Sequence, residues 1–553
     1  MKLTRLLLAL ILLFASVQHS GAQLNQPRNT FTRADTLRGM LTPLRTAYDI
    51  NYYHLDIRLD MDRKFISGSN EFRFTATQDL KRLQFDLFEN MKIRRVVYQG
   101  KNLPFKREFN AVFIDFPVTI KKGSRQRFTV YYEGHPTIAR QAPWDGGFVF
   151  SKDAAGKPWV GVAVQGFGAS SWWPTKDHQA DEVDSMLISV TVPKGLMDVS
   201  NGRLRSAEPM PGNQTRYNWF VSYPINNYNV TVNVADYAHF SDSSFVGARG
   251  RLSLDYFVLR ENVEKARAQF SADVRPMLKC FEDWFGPYPF YRDGFKLIET
   301  PYLGMEHQSA VAYGNQYKKG YLGKDLSGTG LGMDWDYIIV HESGHEWFGN
   351  NITSKDLADM WIHEAFTMYS EGLFIECSKG KEAGARYIAG LRQPIENKSP
   401  IIGPYNVNKE GSGDMYNKGA NMLQTIRAVI GDDQKWKQIL RGLNSEFGLK
   451  TTTTAQVVDF FNKETGLDLT GIFDQYLKYP VIPVLQLQDR GDGTTAYRWK
   501  ADVKNFRMPV RVRTEQSGEW KVIEAGTDWK TMPGTAETIE ADTLNYYIEI
   551  SRN

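Results

Sequence analysis

The sequence has little cysteine: Cys280 and Cys377 are the only two in 553 residues. Neither lies in a CxxC or CxxxxH pattern, which argues against a cysteine metal site. In an exported protein such a pair can form a disulfide, but free cysteines also pack as small apolar side chains inside a core. Both interpretations stay open.

Dense clusters of basic residues are also missing. The 67 Lys and Arg residues nearly balance the 63 Asp and Glu residues, and the formal net charge is +4. A nearly neutral chain has no long-range field that attracts nucleic acid or an anionic membrane. We therefore expect no nucleic-acid partner.

No apolar run is long enough for a transmembrane helix, which needs about 20 residues. The apolar run at residues 6–15 follows Lys2 and Arg5 and precedes the small residues Ser20-Gly21-Ala22. This pattern predicts a signal peptide over residues 1–22 rather than a membrane anchor. Its removal takes away two positive charges and leaves an exported protein, periplasmic or extracellular, with no membrane attachment.

The pattern of apolar residues divides the rest of the chain into three regions. Residues 23–245 alternate between apolar and polar, which predicts an antiparallel β domain. Residues 246–482 are mostly spaced as in helices, with a helix predicted over 261–285, and predict an α-rich domain. Residues 483–553 return to alternation and predict a small β domain. The expected fold class is therefore multidomain α+β.

The segment His341-Glu342-Ser343-Gly344-His345 matches the pattern HExxH. Residues 336–348 are predicted to form a helix, on which side chains four apart lie on one face. Both imidazoles can therefore be directed at one metal ion. Glu342 lies about 100° further round the helix, where its carboxylate can take a proton from a water beside the ion. Two core histidines held by hydrogen bonds are the structural alternative.

A catalytic zinc ion takes three protein ligands, and the third is predicted on the next helix. That helix begins near Ser354 and Asp356, and its apolar stripe contains Glu364 and Glu371. A buried carboxylate without a partner is costly, so a zinc ion is the predicted partner of Glu364. Glu371, like Asp359, can hydrogen-bond a ligating histidine. For these last two residues a structural ion pair or a partly exposed position stays open.

The two histidines, followed after eighteen residues by Glu364, give the pattern HExxH-x18-E. It resembles the aminopeptidase N-like family of gluzincin zinc peptidases, which includes the bifunctional leukotriene hydrolase. The resemblance implies a saddle-like N-terminal β domain, a thermolysin-like catalytic domain with one zinc ion per chain, and a C-terminal β-sandwich domain. Because many relatives add a long helical C-terminal domain, we expect a short-form member.

Two further segments resemble substrate-binding motifs of that family. Leu303-Gly304-Met305-Glu306-His307 looks like its Gly-x-Met-Glu-Asn motif, which implies that Glu306 binds the free α-ammonium group and that Gly304 and Met305 lie beside the substrate. Leu303 and His307 depart from the usual glycine and asparagine, so the shape of the first substrate pocket does not transfer. Gln165, which precedes Gly166 and Trp172-Trp173-Pro174, resembles the segment that lines the amine pocket.

Tyr416-Asn417-Lys418-Gly419 is similar to the family's Tyr-Glu-Lys-Gly segment, which implies that the Tyr416 hydroxyl stabilises the oxyanion. The resemblance as a whole implies a zinc-dependent aminopeptidase acting on peptides with a free N-terminus. An endopeptidase, another zinc hydrolase such as one acting on an epoxide, and a catalytically inactive binding protein are the alternatives. The sequence makes no prediction of the preferred N-terminal residue or of the oligomeric state.

Overall fold

The computed structural model describes residues 30–242, 245–514 and 518–552. The predicted signal peptide, residues 1–22, lies outside the described residues and stays a prediction. All the elements below belong to the unit Arg33–Asn553. Among the described residues, we find no helix whose length and apolar character would suit a membrane span.

The first region is built of strands, as its alternating pattern predicts. Leu55, Ile57 and Leu59 are buried, whereas Arg58 between them is exposed. Two short helices precede the strands. The elements are α1 Arg33–Gly39, α2 Pro43–Thr46, β1 Tyr48–Asp60, β2 Phe65–Ala76, β3 Leu80–Asp86, β4 Met91–Tyr98, β5 Lys101–Leu103, β6 Phe105–Glu108, β7 Ala111–Ile120, β8 Arg125–Gly134, β9 Gly147–Lys152, β10 Pro158–Ala163, β11 Ser185–Pro193, β12 Met197–Val199, β13 Arg203–Met210, β14 Gln214–Val221 and β15 Asn233–Ala235.

Three sheets organise these strands: an eight-stranded sheet in the order β13-β14-β11-β1-β2-β8-β4-β5, the sheet β12-β15-β10-β9 and the sheet β3-β7-β6. The large sheet is not wholly antiparallel, contrary to the prediction, because β1 and β11 run parallel with Leu55 opposite Ile188. More than a hundred residues connect the two strands, which is enough for the chain to return in the same direction.

The middle region begins with a five-stranded sheet and a long helix. The predicted helix over 261–285 is present as α3, which begins at Val263, ends at Phe285 and is capped by Gly286 with a φ of 96°. The sheet has the order β16-β19-β20-β22-β21, and its two-residue strand β21 forms the edge. The elements are β16 Tyr237–Asp242, β17 Val246–Gly247, β18 Gly250–Arg251, β19 Leu254–Leu259, α3 Val263–Phe285, β20 Phe295–Glu299, β21 Gly304–Met305 and β22 Val311–Tyr313.

Helices then dominate until residue 478, and strands close the chain. The elements are α4 Tyr337–Gly344, β23 Ile352–Ser354, α5 Trp361–Lys379, α6 Lys381–Gly390, α7 Asn417–Ile430, α8 Asp433–Glu446, β24 Lys450–Thr452, α9 Thr454–Thr465, α10 Thr470–Lys478, β25 Val484–Asp489, β26 Thr494–Lys500, β27 Met508–Arg513, β28 Lys521–Ala525, β29 Lys530–Pro533, β30 Glu540–Ala541 and β31 Glu549–Arg552. The fold is thus α+β, with N-terminal sheets, a helical middle region and C-terminal sheets.

Two large apolar cores hold the three regions. One contains the strands of the first region and also takes in Tyr302 and Met305 from the middle region. The other runs from the helical region into the C-terminal sheets without a break. The edge strand β21 therefore lies where the first region meets the five-stranded sheet of the middle region. The predicted boundaries at 245/246 and 482/483 stay predictions.

A disulfide joins Cys280 in α3 to Cys377 in α5. The sequence left open whether these cysteines form a disulfide or remain free thiols, and the structure contains the disulfide. The cross-link ties α5, the helix that carries Glu364, to α3 across 97 residues of sequence. Closing a long loop removes conformational entropy from the unfolded chain and so stabilises the fold.

Candidate metal centre and active site

Helix α4 and the residue that caps its end direct His341 and His345 to one side. The helix begins where the Asp336 carboxylate accepts hydrogen bonds from the backbone N–H groups of Ile338 and Ile339. The two imidazole rings lie one turn apart, with centroids separated by 5.1 Å. Both side chains are buried. This is the arrangement that the spacing of four residues predicts.

The helix is shorter than predicted, because it ends at Gly344 rather than near residue 348. Tight turns follow, with backbone hydrogen bonds from Glu346 to Ser343 and from Trp347 to Gly344. A β-carbon on Gly344 would lie 2.7 Å from Ser370 Oγ of α5. Gly344 thus permits the close approach of α4 to α5, and the chain leaves the helix without turning His345 away.

Helix α5 brings Glu364 to the same point. Its Oε2 atom lies 3.9 Å from His341 Nε2 and 3.4 Å from His345 Nε2. That oxygen is buried and has no hydrogen-bond partner among the described residues. A buried carboxylate oxygen in this condition requires a cation or a proton donor.

The outer nitrogen of each imidazole is already engaged. His341 Nδ1 lies 2.6 Å from Glu371 Oε1, and His345 Nδ1 lies 2.9 Å from the carbonyl oxygen of Phe348. An acceptor at Nδ1 places the proton on that nitrogen, which leaves the Nε2 lone pair directed toward Glu364. When neutral, both rings are therefore in the tautomer that binds a metal through Nε2.

These residues fit a zinc ion. The donor atoms of His341, His345 and Glu364 lie within 4.8 Å of one another. Two imidazoles and one carboxylate form a known ligand set for catalytic zinc. Burial, with His345 adding to it, lowers the pKa of His341 to about 3, which keeps that ring neutral as a ligand must be. Burial opposes a charge on His345 as well, but Glu364 and Glu306 raise its pKa to about 10, so the site attracts a positive charge.

Glu342 is placed beside this centre by Gly304 of the edge strand. A β-carbon on Gly304 would lie 2.7 Å from Glu342 Oε1 and 2.8 Å from Ile338 Cγ2. The family resemblance implies that Gly304 lies beside the substrate, but in the structure the Glu342 side chain takes part of that space. Burial, and the neighbouring carboxylates of Glu306 and Glu364, raise the pKa of Glu342.

Glu306 and Gln165 meet at the side of the centre although 141 residues separate them. Gln165 Nε2 donates a hydrogen bond of 2.5 Å to Glu306 Oε1 and lies 3.4 Å from Glu364 Oε1. The Tyr228 hydroxyl donates to the same Glu306 oxygen at 3.1 Å. Burial raises the pKa of Glu306 to about 6. Met305, the other residue expected beside the substrate, is buried in the core of the first region.

The structure separates the two carboxylates that the sequence placed behind the ligands. Glu371 reaches His341, and its second oxygen accepts a hydrogen bond of 2.6 Å from Tyr387. Asp359 reaches neither histidine, because its Oδ1 accepts hydrogen bonds from Tyr405 and Thr454, both at 2.6 Å. Asp359 instead joins the start of α5 to other segments.

Tyr416 lies immediately before α7, with its ring against His341. The two ring centroids are 6.3 Å apart and the ring planes differ by 23°. Burial, and then the carboxylates of Glu364 and Glu306, raise the pKa of Tyr416 above its usual range, so the hydroxyl keeps its proton. Gly419 on α7 was not singled out, yet a β-carbon there would lie 2.5 Å from Ala365 Cβ. That small residue lets α7 pack beside Glu364.

Sequence reasoning also missed Glu346 and Asn350. Glu346 is buried and accepts hydrogen bonds from the Tyr288 hydroxyl at 2.6 Å and from Ser309 N at 3.0 Å. Asn350 Nδ2 donates to Glu346 Oε1 at 2.9 Å and to the Glu306 carbonyl at 2.7 Å. This network ties the segment of Glu306 to the turn after His345. No local sequence pattern predicts this network, because its residues come from separate segments.

Comparison with known proteins identifies the domain that holds this site. Residues 271–476 match the family model described as the Peptidase family M1 domain. That range contains the three candidate ligands, Glu342, Glu306, Glu371 and Tyr416, whereas Gln165 lies outside it.

The similar curated proteins are longer than the matched part of this chain. Probable aminopeptidase 1 of Saccharolobus solfataricus is 22% identical over 472 residues, which cover 80% of this chain and 55% of that protein. Aminopeptidase B of Rattus norvegicus is 24% identical over 69% of this chain and 58% of its own length. Leukotriene A-4 hydrolase of Xenopus laevis is 23% identical over 74% of this chain and 67% of its own. The chain thus spans little more than half the length of the first of these relatives.

Solved structures share the fold. A variant of the M1 zinc metallopeptidase from Deinococcus radiodurans, bound to a Tyr-Ser-Ala substrate, superposes with a TM-score of 0.64 at 17% identity, over 81% of this chain and 98% of that one. A two-domain M1 zinc metallopeptidase variant bound to L-tryptophan gives a TM-score of 0.65 at 18% identity, over 79% and 95% of the two chains.

Proposed function

Residues 271–476 are a peptidase family M1 domain, and from this premise we propose that the protein is a zinc-dependent aminopeptidase that releases the N-terminal residue of peptides. One observation carries the proposal. Three donors suited to zinc converge within 4.8 Å, and the buried Glu306, hydrogen-bonded to the half-buried Gln165, lies at their side. The first feature suits hydrolysis of a peptide bond, and the second suits recognition of a free amino group. The aminopeptidase names of similar proteins support the same assignment.

In this proposal His341, His345 and Glu364 hold the ion. When bound, zinc supplies Lewis-acid chemistry, which polarises the scissile carbonyl and stabilises the negative charge that develops on its oxygen. Glu371 and the Phe348 carbonyl keep the imidazoles in the required orientation through their Nδ1 atoms. The imidazoles are therefore already oriented before the reaction begins.

Glu342 is the proposed general base. Its carboxylate takes a proton from the attacking water and passes it to the departing amine. A raised pKa, which burial causes here, improves a carboxylate as a proton acceptor near neutral pH. The contact with Gly304 supports this role, because it leaves Glu342 little freedom to turn away.

Glu306 is the proposed anchor for the α-ammonium group, with Gln165 beside it. Burial destabilises the ionised Glu306, as its pKa of about 6 indicates, and an arriving cation would relieve that cost. Gln165 is neutral, so it can hydrogen-bond the substrate and orient Glu306 without adding negative charge. A fixed cation-binding point at a set distance from the metal restricts cleavage to the first peptide bond.

Tyr416 is the proposed donor to the oxyanion. Its hydroxyl keeps its proton, because burial and the nearby carboxylates raise its pKa. A donor already held in position stabilises the charge that appears on the carbonyl oxygen only in the transition state.

The proposal is tested by comparing one peptide with a free N-terminus and its N-acetylated form. We expect metal-dependent release of the first residue from the free peptide and very little cleavage of the acetylated one. Internal cleavage of both peptides would favour the endopeptidase alternative. A zinc-loaded protein that cleaves neither peptide, nor a panel of aminoacyl arylamides, would favour the inactive binding protein.

We also propose that the protein is exported to the periplasm or the medium. The basic residues Lys2 and Arg5, the apolar residues 6–15 and the small residues that follow support a signal peptide. The Cys280–Cys377 disulfide supports an oxidising compartment. Mass spectrometry of the protein from its native cells should find a chain that starts near residue 23, and a mature chain that keeps residues 1–22 would contradict export.

A further inference from the structure

We propose that Arg38 is a positioning residue for recognition of the substrate's amino group, because it fixes the loop 164–168 and thereby aims the Gln165 amide at Glu306. This inference rests on the proposed aminopeptidase function. It extends the site to helix α1, more than two hundred residues before the peptidase domain begins.

Gln165 lies on a tight loop, in which Phe167 N donates to the Gln165 carbonyl at 2.6 Å and Gly168 N donates to the Val164 carbonyl at 2.7 Å. The loop runs from the end of β10 to a short 3-10 turn at Ala169–Ser171. Gly166 and Gly168 have φ angles of 67° and 107°, values that glycine adopts far more readily than other residues. These hydrogen bonds set the shape of the loop, but among the described residues no strand pairs with Gln165, so contacts with other segments must fix where the loop lies relative to Glu306.

The Arg38 guanidinium supplies those contacts. Its NH2 group donates to the carbonyl oxygen of Gly166 at 3.2 Å and also to that of Phe167. The two carbonyls that follow Gln165 are therefore held by one planar cation. When the oxygen of the Asn408 amide faces the Arg38 donors, it lies 3.2 Å from both Nε and Nη2 of Arg38. Arg38 thus joins the Gln165 loop to the segment that leads to Tyr416.

Arg38 is itself held firmly by the first two helices. A β-carbon on Gly39 would overlap the backbone nitrogens of Val407 and Asn408, so α1 packs directly on that segment. The Arg38 carbonyl accepts a hydrogen bond from Arg45, whose guanidinium forms a buried ion pair with Asp86. A donor anchored in this way can restrain a loop instead of following it.

The charge of Arg38 is matched to this position. A β-carbon on Gly168 would overlap both Arg38 Nη2 and Asp177 Oδ2. The cation and the carboxylate therefore lie next to the same residue. Burial lowers the pKa of Arg38, while Asp177 and Asp86 act in the opposite direction. Lysine in place of Arg38 would keep the charge, but it cannot form the fork that reaches both the loop and Asn408.

The test uses two inhibitors with the same metal-binding group. Acetohydroxamate has no amine, whereas leucine hydroxamate carries the α-amine that a substrate presents. The ratio of their inhibition constants on the zinc-loaded enzyme therefore measures amine recognition, although it also includes a constant contribution from the leucine side chain. That contribution is shared by all variants and cancels when their ratios are compared.

Arg38→Ala should lower that ratio about tenfold, the effect of losing one well-placed hydrogen bond to a charged group. KM for free-amine substrates should rise by a similar factor, while kcat, zinc content and inhibition by acetohydroxamate stay near their wild-type values. Arg38→Lys should restore part of the ratio. Arg33→Ala is the matched control, because Arg33 lies on the same helix but forms an exposed ion pair with Glu108.

Three outcomes would overturn the proposal for Arg38: an unchanged ratio in Arg38→Ala, an equal loss of affinity for both hydroxamates, or a loss of zinc. If Arg38→Ala does not fold, as judged by thermal unfolding, the ratio is measured in Arg38→Lys instead. A ratio below the wild-type value would support the proposal, and an unchanged ratio would overturn it. Failure of the proposed function is distinguishable, because it would appear in the wild-type enzyme as an inability to hydrolyse free-amine peptides. A wild-type enzyme that recognises the amine, with an Arg38→Ala variant that does so equally well, would refute only the role of Arg38.

Discussion

The two halves of the site, the proposed metal-binding half and the proposed amine-binding half, are built in different ways. His341, His345 and Glu364 come from 24 consecutive residues, on α4, on the residue that follows it and on α5. Gln165, Tyr228 and Glu306 come instead from a loop, a 3-10 turn and the residue after a two-residue strand. Helical spacing and the packing of two successive helices bring the first set together, whereas the second set depends on how distant segments pack.

The two halves also differ in how each side chain is held. The two imidazoles proposed as ligands each have a hydrogen-bond partner on the outer nitrogen, Glu371 for one and the Phe348 carbonyl for the other. The Gln165 amide instead contacts Glu306, which is itself a proposed substrate-binding residue, and the rest of its support comes through the backbone of its loop. We therefore expect chemistry to fail sharply when the metal half is altered, and substrate binding to weaken gradually when the amine half is altered.

The largest expected effect is that of Glu342→Gln in the metal half. Glutamine keeps the size of the side chain but cannot accept the proton, so kcat should fall by about 10² to 10⁴. Zinc content should not change, because Glu342 is not among the three ligands. Steady-state kinetics and metal analysis on the same preparation check this, and near-normal turnover would remove Glu342 from the mechanism.

Tyr416→Phe should have the next largest effect. Loss of the hydroxyl removes one donor to the oxyanion, which should lower kcat by about 100-fold. KM should change little, because the donor acts on charge that is absent from the bound substrate. A rise in KM with kcat unchanged would show that Tyr416 binds the ground state instead.

Glu371→Gln should weaken zinc binding by about 10 to 100-fold, because the amide orients His341 less firmly than a carboxylate does. Titration with a competing chelator measures this affinity. Asp359→Asn is the matched control: Asp359 bonds Tyr405 and Thr454 rather than a histidine, and an amide oxygen can accept both bonds. Equal affinities in the two variants would contradict the role of Glu371.

Gln165→Ala should have the smallest effect and would sharpen the contrast between the halves. It removes the hydrogen bond to Glu306 but leaves every metal ligand in place, so KM for free-amine peptides should rise about tenfold with little change in kcat. The comparison of kcat with KM across free and N-acetylated peptides checks this. A fall in kcat as large as that of Tyr416→Phe would mean that the halves are not separable.

This contrast explains what the sequence could predict. The imidazoles and Glu364 were predictable because helix periodicity and the cost of burying a carboxylate act locally. The alternation around Leu55 likewise predicted buried strand positions correctly. The end of α4 was predicted four residues too late, since the contact between Gly344 and Ser370 belongs to the tertiary structure.

Long-range contacts account for the rest. The parallel pairing of β1 with β11 joins segments more than a hundred residues apart, and alternation along a strand carries no information on direction. Gly304 was assigned to the substrate because nothing in the sequence places it against Glu342. Glu346, Asn350 and Arg38 act through partners in distant segments, and each of them alone has the sequence signal of an ordinary polar residue.

The most direct test of the metal centre is anomalous diffraction from a crystal of the purified protein at wavelengths on either side of the zinc absorption edge. We predict a single anomalous peak per chain, about 2.0–2.2 Å from Nε2 of His341, from Nε2 of His345 and from a carboxylate oxygen of Glu364. Crystals of zinc-loaded protein with no peak between these three side chains, or with the zinc bound elsewhere, would contradict the account.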